Sequence, residues 1–515
     1  MRTHELSSRI DGAPAGGGEV VDNPNPARLD DVVSRVQLAD AGTFALACER
    51  AVEGQRAWAA VPAPVRGVAI GDLGRIVANN KAELAALVTR EIGKPYAEAL
   101  GEVQEVIDTC LFFAAEGRRL YGMTVPSEMP DKHLFTFRRP VGVMAVITAG
   151  NFPIAVPSWY LVPALLAGNA VVWKPAEYAP AIADAFARCV AAAGIPVEAL
   201  QVVQADGPST FDGLASALAA GHVHKVGFTG SSAVGTRIAA LCGEHLVAPT
   251  LELGGKNPLV VMPDADLDLA VEGALFSGFG TAGQRCTSLG VAIVHGSVHG
   301  EFLSRFTAAV EGARIGDPTQ DVLYGPMLSA RFADGFEHWL EQLEPHHRTS
   351  GSSALGRISA EAPRDGFVGD PAAGLFEHPV IVDGVTSDDA IYRQETFGPI
   401  VPVTTFDTFD EAVDLANGHG YGLSSAIYTS DPHAALSFAD RVSAGMLSIN
   451  NSTSGAEAHL PFGGNGRSGN GARQSGVWVL DQVTRWQSVN WDHSGRLQKA
   501  QMDVAEITAD LGFEV

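Results

Sequence analysis

VGVMAVITAGNFP, residues 141–153, is an apolar run that stops abruptly at Gly150-Asn151. A run of this length bounded by turn residues predicts a strand buried on both faces. The same grammar repeats after it. Helical periodicity covers 157–167, AVVWKP (170–175) reads as the next strand, and 179–193 as the next helix. LQVVQA (200–205), HKVGFTG (224–230) and APTLELG (248–254) are further strands, separated by helices over 213–220 and 234–246. Such alternation predicts a parallel sheet with crossover helices, the frame of a dinucleotide-binding domain.

Upstream, residues 1–30 are rich in glycine and proline and predict an irregular segment. Apolar residues at three-to-four spacing predict helices over 41–58, 66–88 and 96–118. Short strands are expected at 122–126 and 133–138. Downstream, a second alternating unit begins near Asn257. PLVVM (258–262), VAIVHG (291–296), PVIVDGV (379–385), IVPVTTFD (400–407), AIYTS (426–430) and GMLSIN (445–450) read as its strands. Its helices are expected over 267–278, 300–312, 409–417 and in segments ending near 343 and 442; residues 345–375 are the least regular part. The tail from Trp478 carries VTRWQSVNW (483–491), an alternating, edge-like strand.

The chain of 515 residues is 46% hydrophobic and 18% charged, which fits roughly three domain-sized units with ample core. A net charge of −24 lacks the basic footprint that nucleic acid or an anionic membrane needs. Cys48, Cys110, Cys189, Cys242 and Cys286 are odd in number and widely spaced, with no CxxC. That argues against a disulfide framework or zinc site and for a reducing, cytoplasmic compartment. The N-terminus shows no apolar signal segment. The most apolar stretch, 159–173, is interrupted by Pro163, Gly168 and Asn169, so no membrane span is expected. His346-His347 reads as a surface pair and not a metal site.

Chemistry gathers at the ends of the strands. Glu252 lies in LELGGKNP (251–258) and Cys286 in GTAGQRCTS (280–288). A thiol nucleophile with a separate carboxylate base is what covalent chemistry on a carbonyl requires. Asn151 is placed either to cap a helix or to donate to an oxyanion. In WKPAE (173–177), Lys174 and Glu177 suit a nucleotide ribose, or form a solvated pair. FTGSSAVG (228–235) opens a helix that can meet a phosphate, although it is not GxGxxG. ETFGPI (395–400) puts a carboxylate and an aromatic ring in a turn before a strand, and PFGGNGRSGNG (461–471) has the glycines to let backbone approach a ligand; each can also be an ordinary turn.

Taken together and in this order, the motifs GNFP, KPAE, FTGS with Gly235, LELGG, GQRC and ETFGP resemble the NAD(P)-dependent aldehyde dehydrogenase superfamily. The resemblance covers nearly the whole chain. It implies an α/β fold with a variant Rossmann cofactor domain, an α/β catalytic domain and a small β oligomerisation element. The boundaries expected are 1–121 with 139–253 for the cofactor domain, 254–450 for the catalytic domain, and 122–138 with 451–515 for the bridging element and tail. It implies Cys286 as nucleophile, Glu252 as base, and Asn151 with the Cys286 amide as oxyanion donors. Thr148, Lys174, Glu177, Gly230, Ser231, Gly235, Leu253, Glu395 and Phe397 become the cofactor set. NAD is implied, with NADP as the alternative, and Glu177 favours NAD. A small-molecule aldehyde is the implied substrate and a homodimer or homotetramer the implied assembly. Arg285, next to the nucleophile, is a candidate promoter of its thiolate.

GEVQE (101–105), GQRCT (283–287) and TSGAE (453–457) resemble the α-aminoadipic semialdehyde branch. That resemblance implies Glu105 for a substrate ammonium, and Arg285 with Gly455 and Ala456 for its carboxylate. His459-Leu460-Pro461 departs from the branch, and the glycine run is closer to aromatic-aldehyde members. Aromatic and aliphatic aldehydes stay open, as do a CoA-acylating enzyme and a non-catalytic descendant. Glu252 argues against the CoA-acylating reading, which needs no base.

Overall fold

Strand Val143–Ile147 is the hub of the first sheet, with all but Ile147 buried. The computed structural model describes residues 2–515. In it this strand pairs in parallel with Ala170–Lys174 on one side and Lys225–Thr229 on the other. Leu200–Val202 and Pro249–Glu252 extend the two flanks. By chain position the five strands lie in the order third, second, first, fourth, fifth. The order therefore reverses between Val143–Ile147 and Lys225–Thr229, and ligands bind outside the carboxyl ends of strands at such a switch. Helices Ala155–Ala167, Pro180–Ala192, Gly207–Ala219 and Ser232–Glu244 make the crossovers. Ala155–Ala167 is buried at every residue, which accounts for its lack of a polar face.

The first forty residues differ from expectation. His4–Ile10, Ala13–Ala15, Val20–Asn25 and Arg28–Gln37 are strands that carry the first sheet outward from Leu200–Val202. Their residues are largely polar, and their buried polar groups are satisfied from far along the chain: Ser8 Oγ accepts from the Gln204 amide at 2.9 Å. The helix expected over 66–88 is two, Ala63–Asn79 and Lys81–Ile92. Asn80 separates them, and its side chain donates to the Ile76 carbonyl at 2.7 Å, competing with the backbone ladder. Helices Ala41–Ala60 and Tyr96–Glu116 agree with the reading.

The second sheet runs Val380–Asp383, Ile400–Phe406, Leu289–His295, Asn257–Val261, Ser424–Tyr428, Met446–Ile449, all parallel. Arg348–Ser350 joins its edge antiparallel, and Phe367–Val368 pairs with Ile315–Gly316, so the segment expected to be least regular contains two short strands. In a third sheet Thr484–Asp492 pairs antiparallel with Lys132–Pro140 along its whole length, and Thr124–Val125 flanks the latter. The two segments expected to offer free edges therefore spend one edge on each other. The start of the tail is helical at Val477–Val479 and Leu480–Val483. Among the described residues no helix is long and apolar enough to cross a membrane.

Candidate active site

Cys286 follows a turn of unusual backbone. Thr281, Ala282 and Gly283 have φ of 52°, 54° and 67°. For the two non-glycine residues that conformation costs about 1–3 kcal/mol each, so the surroundings must hold it. The Thr281 amide and hydroxyl donate to Glu98, and Arg285 pairs with the same carboxylate. Downstream, Asn257 Nδ2 donates to the carbonyls of Cys286 (2.8 Å) and Ser288 (2.7 Å), while its Oδ1 accepts from the Ser424 amide at 2.9 Å. Neither Glu98 nor Asn257 was singled out from sequence. The only signal for Asn257 was a polar residue opening an otherwise apolar strand.

Cys286 is a half-buried residue. Its dry surroundings, then the carboxylates of Glu252 and Glu395, push the thiol up to about 12. Arg285 does not offset this. Its guanidinium is paired with Glu98, reaches Thr281 Oγ1 at 3.3 Å and lies 4.5 Å from the Phe276 ring. The expectation that it promotes the thiolate is corrected: the guanidinium is held by Glu98 and is absent from the charges that act on the thiol. Burial would raise the Glu98 carboxyl, but Arg285, Thr281 and Lys94 outweigh burial and hold it low.

Glu252 ends strand Pro249–Glu252 and is buried, and neither carboxylate oxygen completes a hydrogen bond. Burial raises it well above the usual carboxylate range; Arg473 and the Gly464 amide oppose this only in part. A carboxyl raised in this way is, once ionised, a stronger base than a surface glutamate. Asn151 is buried, and its Nδ2 donates to the Gln284 carbonyl at 2.9 Å, bringing it against the nucleophile loop. The Ile154 and Ala155 amides donate to Glu102, which also pairs with buried Lys94.

The residues expected for a cofactor line the carboxyl ends of the first sheet. The Thr148 amide donates to the Lys174 carbonyl at 3.1 Å. Buried Lys174 reaches half-exposed Glu177 at 3.4 Å. Gly230 follows strand Lys225–Thr229, and Ser231 caps helix Ser232–Glu244, whose first turn holds no acidic residue. Gly235 is needed for packing, because a Cβ there would run into Leu253. Across the crevice, Glu395 accepts from the Gly255 amide at 3.1 Å, over a glycine, Gly254, where a Cβ would collide with that carboxylate. Burial raises Glu395 to about 7. Phe397, at φ 44°, packs on Phe332 with ring centroids 5.5 Å apart. A capped helix N-terminus, an amine with one distant partner and a carboxylate over a bare glycine fit a dinucleotide's phosphates and riboses.

A cavity of about 400 Å³ is lined by Gln104, Glu105, Asp108, Ala456, Glu457 and His459, among others. Burial, then Glu102, lifts Glu105 to about 8. Gly455 stands beside this cavity's wall at φ 141°, in a loop anchored where Thr453 Oγ1 donates to the Thr287 carbonyl at 2.8 Å. His346 and His347 both face Asp389 Oδ2, at 3.2 and 3.1 Å. His347 Nδ1 accepts from the Glu344 amide at 2.9 Å, so its Nε2 carries the proton and donates to Asp389. That arrangement is a hydrogen-bonded knot.

A dehydrogenase-type sheet with a thiol, a buried carboxyl and an amide converging beyond it defines the class. The profile of the aldehyde dehydrogenase family matches residues 14–489, and the chain belongs to that family. It is 35% identical over 458 residues to a 2,5-dioxopentanoate dehydrogenase of Saccharolobus solfataricus, covering 88% of this chain and 92% of that one. It is 34% identical over 496 residues to the alpha-aminoadipic semialdehyde dehydrogenase of Bos taurus, covering 95% and 89%. The crystal structure of betaine aldehyde dehydrogenase from Staphylococcus aureus in complex with NAD+ superposes with a TM-score of 0.89 at 26% identity, covering 95% of this chain and 96% of that one.

Proposed function

We propose that this oxidoreductase converts a semialdehyde to the carboxylic acid with NAD, through a thioester on Cys286 that Glu252 helps hydrolyse. The observation that carries this reading is the buried Glu252 carboxyl, with both oxygens unpartnered, beside the Cys286 thiol. The Cys286 thiol gives up its proton to solvent water, and the thiolate sulfur adds to the aldehyde carbon. Asn151 Nδ2 and the Cys286 amide donate to the oxyanion. When bound, NAD supplies the hydride acceptor. The acyl group then remains on Cys286 as a thioester. Glu252 takes a proton from water, and the hydroxide releases the acid. Lys174, Glu177, Ser231 and Glu395 hold the cofactor, with Glu177 favouring NAD over NADP by repelling a 2′-phosphate. Residues 1–121 with 139–253 carry the cofactor, 254–450 the nucleophile, and 122–138 with 451–515 join protomers of a cytoplasmic dimer or tetramer.

The cavity at Glu105 takes the far end of the substrate. Relatives acting on a 2-oxo and on a 2-amino semialdehyde are about equally similar to this chain. Arg285 is already paired, so a far-end carboxylate relies mainly on the amides of Gly455 and Ala456. Glu105, lifted to about 8, keeps its proton at neutral pH and can donate to a 2-oxo group. To bind an ammonium it must first ionise. This favours the 2-oxo semialdehyde, with the 2-amino compound second. A panel of semialdehydes, benzaldehyde and hexanal, followed by NADH absorbance with and without CoA, tests the reading. Turnover without CoA, greatest for a semialdehyde, is expected. A CoA requirement or a preference for the uncharged aldehydes would overturn it.

A further inference from the structure

Three carboxylates follow one another along the helix Tyr96–Glu116 at 98, 102 and 105, spacings that place them on one face. Glu105 opens to the cavity. Glu102 holds the amides of Ile154 and Ala155, just beyond Asn151. Glu98 takes the other loop. It accepts from the Thr281 amide at 3.2 Å, from the Thr281 hydroxyl and from Arg285. Those contacts hold the first residue of the left-handed run Thr281–Gly283 and the Arg285 side chain two residues beyond its end, just before Cys286. A β-branched residue and an alanine do not adopt that backbone unaided.

We infer that Glu98 is a positioning residue for the nucleophile: it holds the left-handed turn that aims the Cys286 thiol and amide at the substrate carbonyl. This rests on Cys286 being the nucleophile. Glu98 touches neither the thiol nor the cofactor residues, so its loss acts on the aim of the loop. Arg285 serves as its counter-ion and not as a substrate ligand.

The test uses the full-length protein. Glu98→Gln keeps the size and an acceptor for Thr281 but loses the charge toward Arg285. It should lower kcat by about 10- to 100-fold, the scale on which a nucleophile displaced by under 1 Å loses rate. NADH binding, read by fluorescence, should stay within about threefold, because Lys174, Glu177 and Ser231 lie at the ends of the first sheet, away from the turn that Glu98 holds. The pH profile of Cys286 carbamidomethylation by iodoacetamide should shift, which a role in global stability would not produce. Adding Ala282→Gly to Glu98→Gln should restore part of kcat, because glycine takes a positive φ without strain. Wild-type kcat and alkylation in Glu98→Gln would overturn the inference. So would parallel losses of kcat, NADH binding and Tm. Cys286→Ala is measured alongside: an active Cys286→Ala removes the nucleophile reading itself, whereas an inactive one beside a normal Glu98→Gln removes only this inference.

Discussion

The Asn151 side-chain amide donates to the backbone carbonyl of Gln284 at 2.9 Å, tying the end of the first sheet's central strand to the loop that carries Cys286. One N–H of the amide is thereby fixed and the other is left for substrate. Asn151→Ala should lower kcat by roughly 10²–10³, the usual cost of one oxyanion donor. A change confined to KM would remove Asn151 from that role.

Glu252→Gln leaves the thiol in place and removes the base. Pre-steady-state traces should show a burst of one NADH per active site, followed by slow release of acid. A steady rate equal to wild type, with no burst, would show that another group activates the water.

Glu105→Gln separates the two substrate readings, because glutamine still donates a hydrogen bond but cannot neutralise a cation. Turnover of a 2-oxo semialdehyde should be largely preserved. For a 2-amino semialdehyde kcat/KM should fall strongly, since losing a charged partner in a partly dry site costs about 2–5 kcal/mol. Equal losses on both substrates would mean that Glu105 shapes the cavity without reading the substrate.

The same substitution predicts a pH dependence of stability. Glu105 titrates near about 8 in the folded protein, against an ordinary value of 4.5. Between those values the folded state binds the proton more tightly than the unfolded chain, so this group's contribution to stability falls as pH rises and levels off above 8. Urea midpoints at pH 5, 7 and 9 should show Glu105→Gln gaining on wild type over that interval. A constant difference would mean that the carboxyl titrates normally.

Removing residues 485–515 takes away most of the edge strand Thr484–Asp492, on which Trp486 and Trp491 are 49% and 59% exposed. Exposed aromatics on a free edge invite pairing with a second chain. Light scattering should report a smaller assembly and kinetics a lower activity. An unchanged mass would place the protomer contact elsewhere.

The parallel strands of both sheets were legible because buried strands are written as unbroken apolar runs, as at Val143–Ile147 and Asn257–Val261. The N-terminal strands were not, because their residues are polar and their partners distant, Arg9 opposite Val202. The motif residues were legible as types, but their partners were not. Glu98 and Arg285 meet across 187 positions, and sequence adjacency placed Arg285 beside the thiol when a distant carboxylate holds its guanidinium elsewhere. That 122–138 and the tail would pair with each other was equally illegible: each spends one edge on the other, and the outer edge of Thr484–Asp492 is left over.

Asn257 holds two carbonyls of the nucleophile loop through one amide, and the residue after it is Pro258. Asparagine deamidates in ageing protein when the next backbone nitrogen attacks the side-chain carbon, and proline has no N–H with which to do so. A carboxylate at this position would face two carbonyl oxygens in a buried setting, where it could pair with neither. Asn465 and Asn470, by contrast, each precede a glycine. Spontaneous deamidation is therefore expected at such sites, Asn417 before Gly418 among them, and in the glycine-rich loop, where Asn465 accepts from Arg473 and Asn470 braces strand Pro249–Glu252, and not at the clamp on Cys286.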